Sequence, residues 1–125
     1  MLLVDEELTN KVIGAAIEVH RSLGPGLLES VYERCLAYEL ELQGIEYRNQ
    51  VWVDLHYKTL VLEKAYKLDL LVADRLIVEL KSVDEVSPLH EAQLLTQMKL
   101  SNIKVGLLIN FNVTMLKEGL TRRVL

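Results

Sequence analysis

Glu79, Leu80 and Lys81 stand inside the most apolar stretch of the chain, a predicted strand over 76–83. Side chains alternate along a strand, so Glu79 and Lys81 share a face two residues apart. Asp69 lies on what reads as the preceding strand. Two carboxylates and an ammonium converging at a sheet make a hard-cation site with a cation or base beside it. Mg2+ suits that setting, where one or two carboxylates are completed by waters and phosphate oxygens. Such an ion acidifies a bound water and offsets charge building on a phosphoryl group, while the lysine steadies the water or the transition state. The same residues also suit a plain salt bridge with the lysine between two carboxylates, and spacing alone favours that commoner arrangement.

Register decides whether Asp69 joins the pair. If Ala73, Asp74 and Arg75 form a three-residue loop, Val72 pairs with Leu76 and Asp69 falls opposite Glu79 on the same face. A two-residue loop would turn Asp69 to the other side, because a one-residue slip exchanges the faces of a strand. The expectation is the three-residue loop.

The elements that must hold this register are legible in the hydrophobic period. Val12, Ile13, Ala16, Ile17, Val19 and Leu23 recur at helical spacing after the acids Asp5, Glu6 and Glu7, which suit a helix start. Gly24-Pro25-Gly26 interrupts, and a second helix over 27–43 carries Leu28, Val31, Tyr32, Cys35, Leu36 and Leu40, with Gly44 as its stop. From Ile45 the period becomes two. Ile45, Tyr47, Val51, Val53, Leu55 and Tyr57 alternate with polar residues, which predicts one apolar face for the first strand. After a break at Lys58-Thr59, Leu62, Tyr66, Leu68, Leu70 and Val72 predict one apolar face for the second, with Glu63, Lys67 and Asp69 on the other. Ser87-Pro88 starts a helix running to about Leu100, and the unbroken apolar run over 105–109 suits a strand buried on both faces. The tail, 116–125, reads as a short edge strand. Short loops make the first three strands an antiparallel meander, and the helical excursion returns the fourth parallel to the third. The pattern is an α/β sandwich around a mixed sheet.

The 125 residues are enough for one domain, half of them apolar, with 6 Gly and 2 Pro, which excludes disordered and low-complexity classes. The single cysteine, Cys35, excludes an internal disulfide framework, and with three scattered histidines it leaves no structural zinc cage. Neither a signal segment nor a membrane span is expected, so the cytoplasm is the expected compartment. A net charge of −4 means that a phosphate-backbone partner must meet a local basic surface or a metal held by carboxylates.

Taken together, Asp69 and Glu79-Leu80-Lys81 within a helix-strand-strand-strand-helix-strand order resemble the PD-(D/E)XK nuclease superfamily. More closely, the chain is similar to the small bacterial GxxExxY proteins, whose motif stands here as Gly26-Leu27-Leu28-Glu29-Ser30-Val31-Tyr32. Flanking stretches share the likeness: Gly14 to His20, Ile77-Val78-Glu79-Leu80-Lys81, His90-Glu91-Ala92-Gln93-Leu94-Leu95, and Val105 to Phe111. The resemblance spans nearly the whole chain and implies an αβββαβ core with a mixed sheet of four to five strands flanked by helices. It implies that Asp69 and Glu79, with the backbone carbonyl of Leu80, bind Mg2+ or Mn2+, and that Lys81 assists the attacking water. It also implies that Glu29, on the first core helix, completes the site, and that Gln93 supports it from the later helix. In the exonuclease-like branch a tyrosine follows four residues after that glutamine; here Gln97 stands there. Leu68 replaces the proline that gives the superfamily its first letter.

Other residues have plainer readings. Tyr32 and Cys35 suit packing, His20 and His90 suit capping or a satisfied hydrogen bond, and Arg122-Arg123 suit a solvated tail. Trp52, on the polar side of its strand, marks either a partner surface or a base-stacking platform. The resemblance thus implies a metal-dependent phosphodiesterase on nucleic acid, DNA ahead of RNA. The alternative is a nuclease-fold binding or interaction module without turnover. A homodimer or protein partner would widen the cleft of so small a chain, and no membrane partner is expected.

Overall fold

The computed structural model describes residues 5–125, so the first four residues of the domain expected over 1–125 lie outside the described residues. Five strands form one mixed sheet in the order β1-β2-β3-β4-β5. They are β1 (Tyr47–Tyr57), β2 (Leu60–Val72), β3 (Leu76–Lys81), β4 (Val105–Asn110) and β5 (Leu120–Val124). The helices are α1 (Glu6–Leu23), α2 (Glu29–Leu42) and α3 (Pro88–Ser101), and none is long and apolar enough to cross a membrane. This is the expected α/β architecture, with the sheet at the upper end of the expected strand count.

Alternation on β3 separates two cores. Leu76, Val78 and Leu80 pack with Leu70 and Val72 against Val12, Ala16, Val19, Leu36 and Leu40 of α1 and α2. On the reverse face Ile77 packs with Leu71 and Leu108 against Leu94 and Met98 of α3. The three strands form an antiparallel meander, and β4 returns parallel to β3 through α3. All six residues of β4 are buried, as a strand covered on both faces requires. Gly106 on β4 is where α3 comes closest: a Cβ there would lie 2.5 Å from Met98 Sδ.

Three expectations are corrected. First, neither β1 nor β2 keeps one apolar face. Tyr47, Leu70 and Val72 pack with α1 and α2, whereas Val51, Val53, Tyr66 and Leu68 pack on the α3 side. The faces exchange between Asn49↔Leu70 and Val51↔Leu68, the pairs that flank Gln50 and Asp69. Gln50 has φ 52°, a left-handed conformation that rotates the strand about its own axis. Second, β3 ends at Lys81 rather than Val83, because Ser82 leaves the sheet to bond α2. Third, a 3-10 turn (Leu116–Gly119) precedes the tail strand, and β5 then pairs antiparallel with β4 at the sheet edge.

Candidate active site

The turn after β2 sets the geometry. Val72 pairs with Leu76, Leu71 with Ile77 and Leu70 with Val78, the register that a three-residue loop produces. One step further, side chains replace the ladder. The Asp69 amide donates to Glu79 Oε1 (3.2 Å), and the Leu80 amide donates to Asp69 Oδ2 (2.9 Å). The two carboxylates therefore meet where the strands separate, each fastened by a backbone N–H of the other strand.

Their environment shows what the pair lacks. Glu79 is buried, and its carboxyl is pushed from 4.5 up to about 9 by burial first, then by the charge and hydrogen bond of Asp69; Lys81 pulls the other way. At neutral pH this pair carries a proton that a divalent cation would displace. No group of three His, Cys, Asp or Glu closes into a metal cage among the described residues. The donor set is two carboxylates, Glu79 buried and Asp69 half-buried, which fits a hard ion that keeps waters and substrate oxygens as its other ligands.

Beside the pair lies a cleft of about 530 Å³, lined by Glu29, Ser30, Glu33, Arg34, Asn49, Gln50, Asp69 and Leu80. It is open on one side to α2 and on the other to the kink in β1. A larger groove of about 740 Å³ lies between α1, α2 and the start of β1; of its acids, Glu18 pairs with Arg21 and Glu41 accepts from the Tyr47 hydroxyl. The smaller cleft gathers three carboxylates, Glu29, Glu33 and Asp69, with Arg34 as the cation in its lining.

The Gly26–Tyr32 segment fastens α2 to this rim. Gly26 takes φ 95°, a left-handed turn that suits glycine. Buried Tyr32 stacks on Phe111 with centroids 4.4 Å apart; its hydroxyl donates to Gly24 O (2.6 Å) and accepts from Leu27 N (3.1 Å). Ser82 Oγ donates to Leu27 O (2.6 Å), and the Ser82 amide donates to Glu29 Oε1 (3.3 Å). The glycine bends the loop, the tyrosine closes it, and the glutamate meets the backbone one residue beyond Lys81. Glu29 is thus brought to the cleft at the first turn of α2, while exposed on its outer side.

Gln93 stands apart. It is exposed on α3 and is not among the residues lining the cleft. Gln97, one turn on, has its side-chain oxygen buried without a hydrogen-bond partner among the described residues. The plainer readings of His20, His90 and Cys35 match their contacts, whereas Arg122 and Arg123, expected in a solvated tail, lie half-buried in β5, where pairing with β4 orders the tail. His20 Nε2 lies 2.8 Å from Val113 O, His90 closes a capping box with Ser87, Cys35 packs against the α1–α2 core, and Arg123 pairs with Glu91.

Three contributors were not singled out from sequence. Glu33, one turn after Glu29, faces the same cleft; Gln50 Nε2 donates to its Oε1 (2.5 Å). Burial raises the Glu33 carboxyl and Asp69 adds to it, while Gln50 and Lys67 oppose. The i, i+4 spacing from Glu29 was the available signal. Asn110, at the end of β4, holds the loop after Lys81: its Oδ1 accepts from Val83 N (3.1 Å) and its Nδ2 donates to Val83 O (2.9 Å). A buried asparagine closing an apolar strand was its signal.

Neither the curated proteins nor the solved structures include a match to this chain. The sequence pattern of the PD-(D/E)XK nuclease superfamily matches residues 6–124, from the first turn of α1 to the last residue of β5. Spanning both cores, the cleft and the Asp69–Glu79 pair, that match makes the chain a member of the PD-(D/E)XK nuclease superfamily.

Proposed function

We propose that the protein is a Mg2+- or Mn2+-dependent phosphodiesterase acting on nucleic acid, DNA ahead of RNA, and a single-domain member of the GxxExxY family. The observation that carries the reading is the meeting of Asp69 and Glu79, with Lys81 two residues on along β3, next to a cleft that Asp69 lines. Superfamily membership supports nuclease activity and the use of a divalent ion. Asp69 and Glu79, with the Leu80 carbonyl, would hold the ion, which supplies Lewis acidity and positive charge against a phosphoryl group. Lys81 follows Glu79 on the same face of β3 and is assigned to orient the attacking water. Glu29, fixed to Ser82, is assigned to the same rim, whereas Gln93, exposed on α3 outside the cleft, is given no part in it. We place the protein in the cytoplasm, where an unpaired Cys35 is stable, and assign a second copy or a protein partner to widen the cleft.

Incubation with labelled DNA and RNA strands plus Mn2+ tests this. Cleavage that disappears in Lys81→Ala and in Asp69→Ala is the expected result. Absence of cleavage by the folded wild type, or cleavage that survives both substitutions, overturns it. Metal binding without cleavage would favour the module that keeps the fold without turnover.

A further inference from the structure

Strands β1 and β2 have 11 and 13 residues, but β3 has 6 and pairs with β2 only over Leu70–Val72. Beyond Asp69 the hairpin therefore leaves the body of the sheet as a two-stranded arm, paired from Val51↔Leu68 out to Tyr57↔Leu60. Free ribbons of this kind are marginal in water. This one is rooted by Val51, Val53 and Tyr66 in the α3-side core and by the Tyr66 hydroxyl on Ser101 Oγ (2.8 Å). The left-handed residue Gln50 sets its facing. By alternation Trp52 and its cross-strand partner Lys67 take the side opposite Val51 and Val53; neither lines the cleft, and Trp52 also borders a groove toward α3 with Leu68, Ser101 and Ile103. Lys67 is close enough to that cleft to act on the charge of Glu33.

Trp52 is the only tryptophan of the chain and is 51% exposed, with the Lys67 ammonium 4.9 Å from the indole centroid. The segment 52–67 carries three lysines against two acids in a chain of net charge −4, so it is a basic projection on an acidic body. One of those acids is engaged, since Asp54 Oδ1 accepts from Lys64 N (2.9 Å) at the bulge in the arm.

We infer that the Trp52–Lys67 pair is a contact for single-stranded nucleic acid, in which an unpaired base stacks on the indole and Lys67 meets its phosphate. A base paired within a duplex cannot lie flat on an indole without leaving its helix, so the pair selects single strands or single-stranded ends over intact duplex. The ammonium now covering the ring marks the face on which a base would lie and supplies the charge that its phosphate needs. The strand would then run from the arm toward Asp69, two residues along β2 from Lys67. This inference deepens the nuclease reading and rests on it for the direction of the strand.

The lone indole reports the contact directly. An oligo(dT) strand and an oligo(U) strand, titrated in EDTA, are expected to quench Trp52 emission saturably, and a duplex of equal length far less. Labelled-strand anisotropy is expected to show binding roughly tenfold to a hundredfold weaker in Trp52→Ala, retained in Trp52→Phe, and with a shallower salt dependence in Lys67→Gln. Tyr57→Ala, on the alternate face at the arm tip, controls for disturbance of the hairpin and should bind as wild type. The inference is overturned if neither strand quenches, if duplex quenches equally, if Trp52→Ala binds unchanged, or if sedimentation shows Trp52 covered by a second copy of the chain. Cleavage without quenching removes this inference alone. Quenching that persists in a wild type that neither cleaves nor binds Mn2+ removes the nuclease reading alone.

Discussion

Asp69 and Glu79 are joined by a hydrogen bond from the Asp69 amide to Glu79 Oε1 across 3.2 Å, where the ladder would otherwise continue between backbones. The strands part there, and the side chains take over the unsatisfied amides. A buried polar group must find a partner, so this exchange both ends the β2–β3 ladder and presents two carboxylates side by side.

Stability in EDTA should fall as pH rises. The Glu79 carboxyl titrates at about 9 when folded against 4.5 when unfolded, so the folded state binds the extra proton between those values. The contribution is fully present below about pH 4.5, declines through neutrality and is gone above about pH 9. Urea denaturation at a series of pH values checks this, and Glu79→Gln, which mimics the protonated carboxyl, should flatten that slope.

Mn2+ should reverse this trend. Binding to the folded state alone adds about 2.7 kcal/mol at a hundredfold excess over Kd. Thermal scans should show a rise in Tm for wild type and none for Asp69→Asn. Calorimetry at pH 8 in buffers of different ionisation enthalpy should show a proton released on binding. Equal heats in every buffer would contradict the shared proton.

Tyr32→Phe should cost about 1–3 kcal/mol, because the Gly24 carbonyl and Leu27 amide lose one shared partner while the ring stack on Phe111 survives. Any cleavage should drop as well, since the loop delivers Glu29. Denaturation and single-turnover rates separate the two effects.

Two glycines should respond in opposite directions. A Cβ at Gly119 would lie 2.1 Å from the backbone oxygen of Asn110, which cannot yield without moving β4, so Gly119→Ala should destabilise by about 3 kcal/mol. Gly14, exposed in α1 with nothing within 4 Å of its Cβ position, should gain about 1 kcal/mol as alanine. Urea midpoints measured on both variants decide it.

Local chemistry made much of this protein legible. Ser87-Pro88 caps and starts α3, the apolar run of β4 is buried on both faces, and the Ala73-Asp74-Arg75 loop sets the register that brings Asp69 to Glu79. These follow from neighbouring residues, whose spacing on a turn or a strand is fixed by covalent geometry. The exchange of faces at Gln50 does not follow: a non-glycine residue with φ 52° in mid-strand is held by packing from opposite sides, Tyr47 by the α1–α2 core and Val51 by the α3-side core. Only the assembled sheet could decide that Glu33 enters the cleft and that Gln93 stands outside it, because each depends on where helices far apart in sequence come to rest.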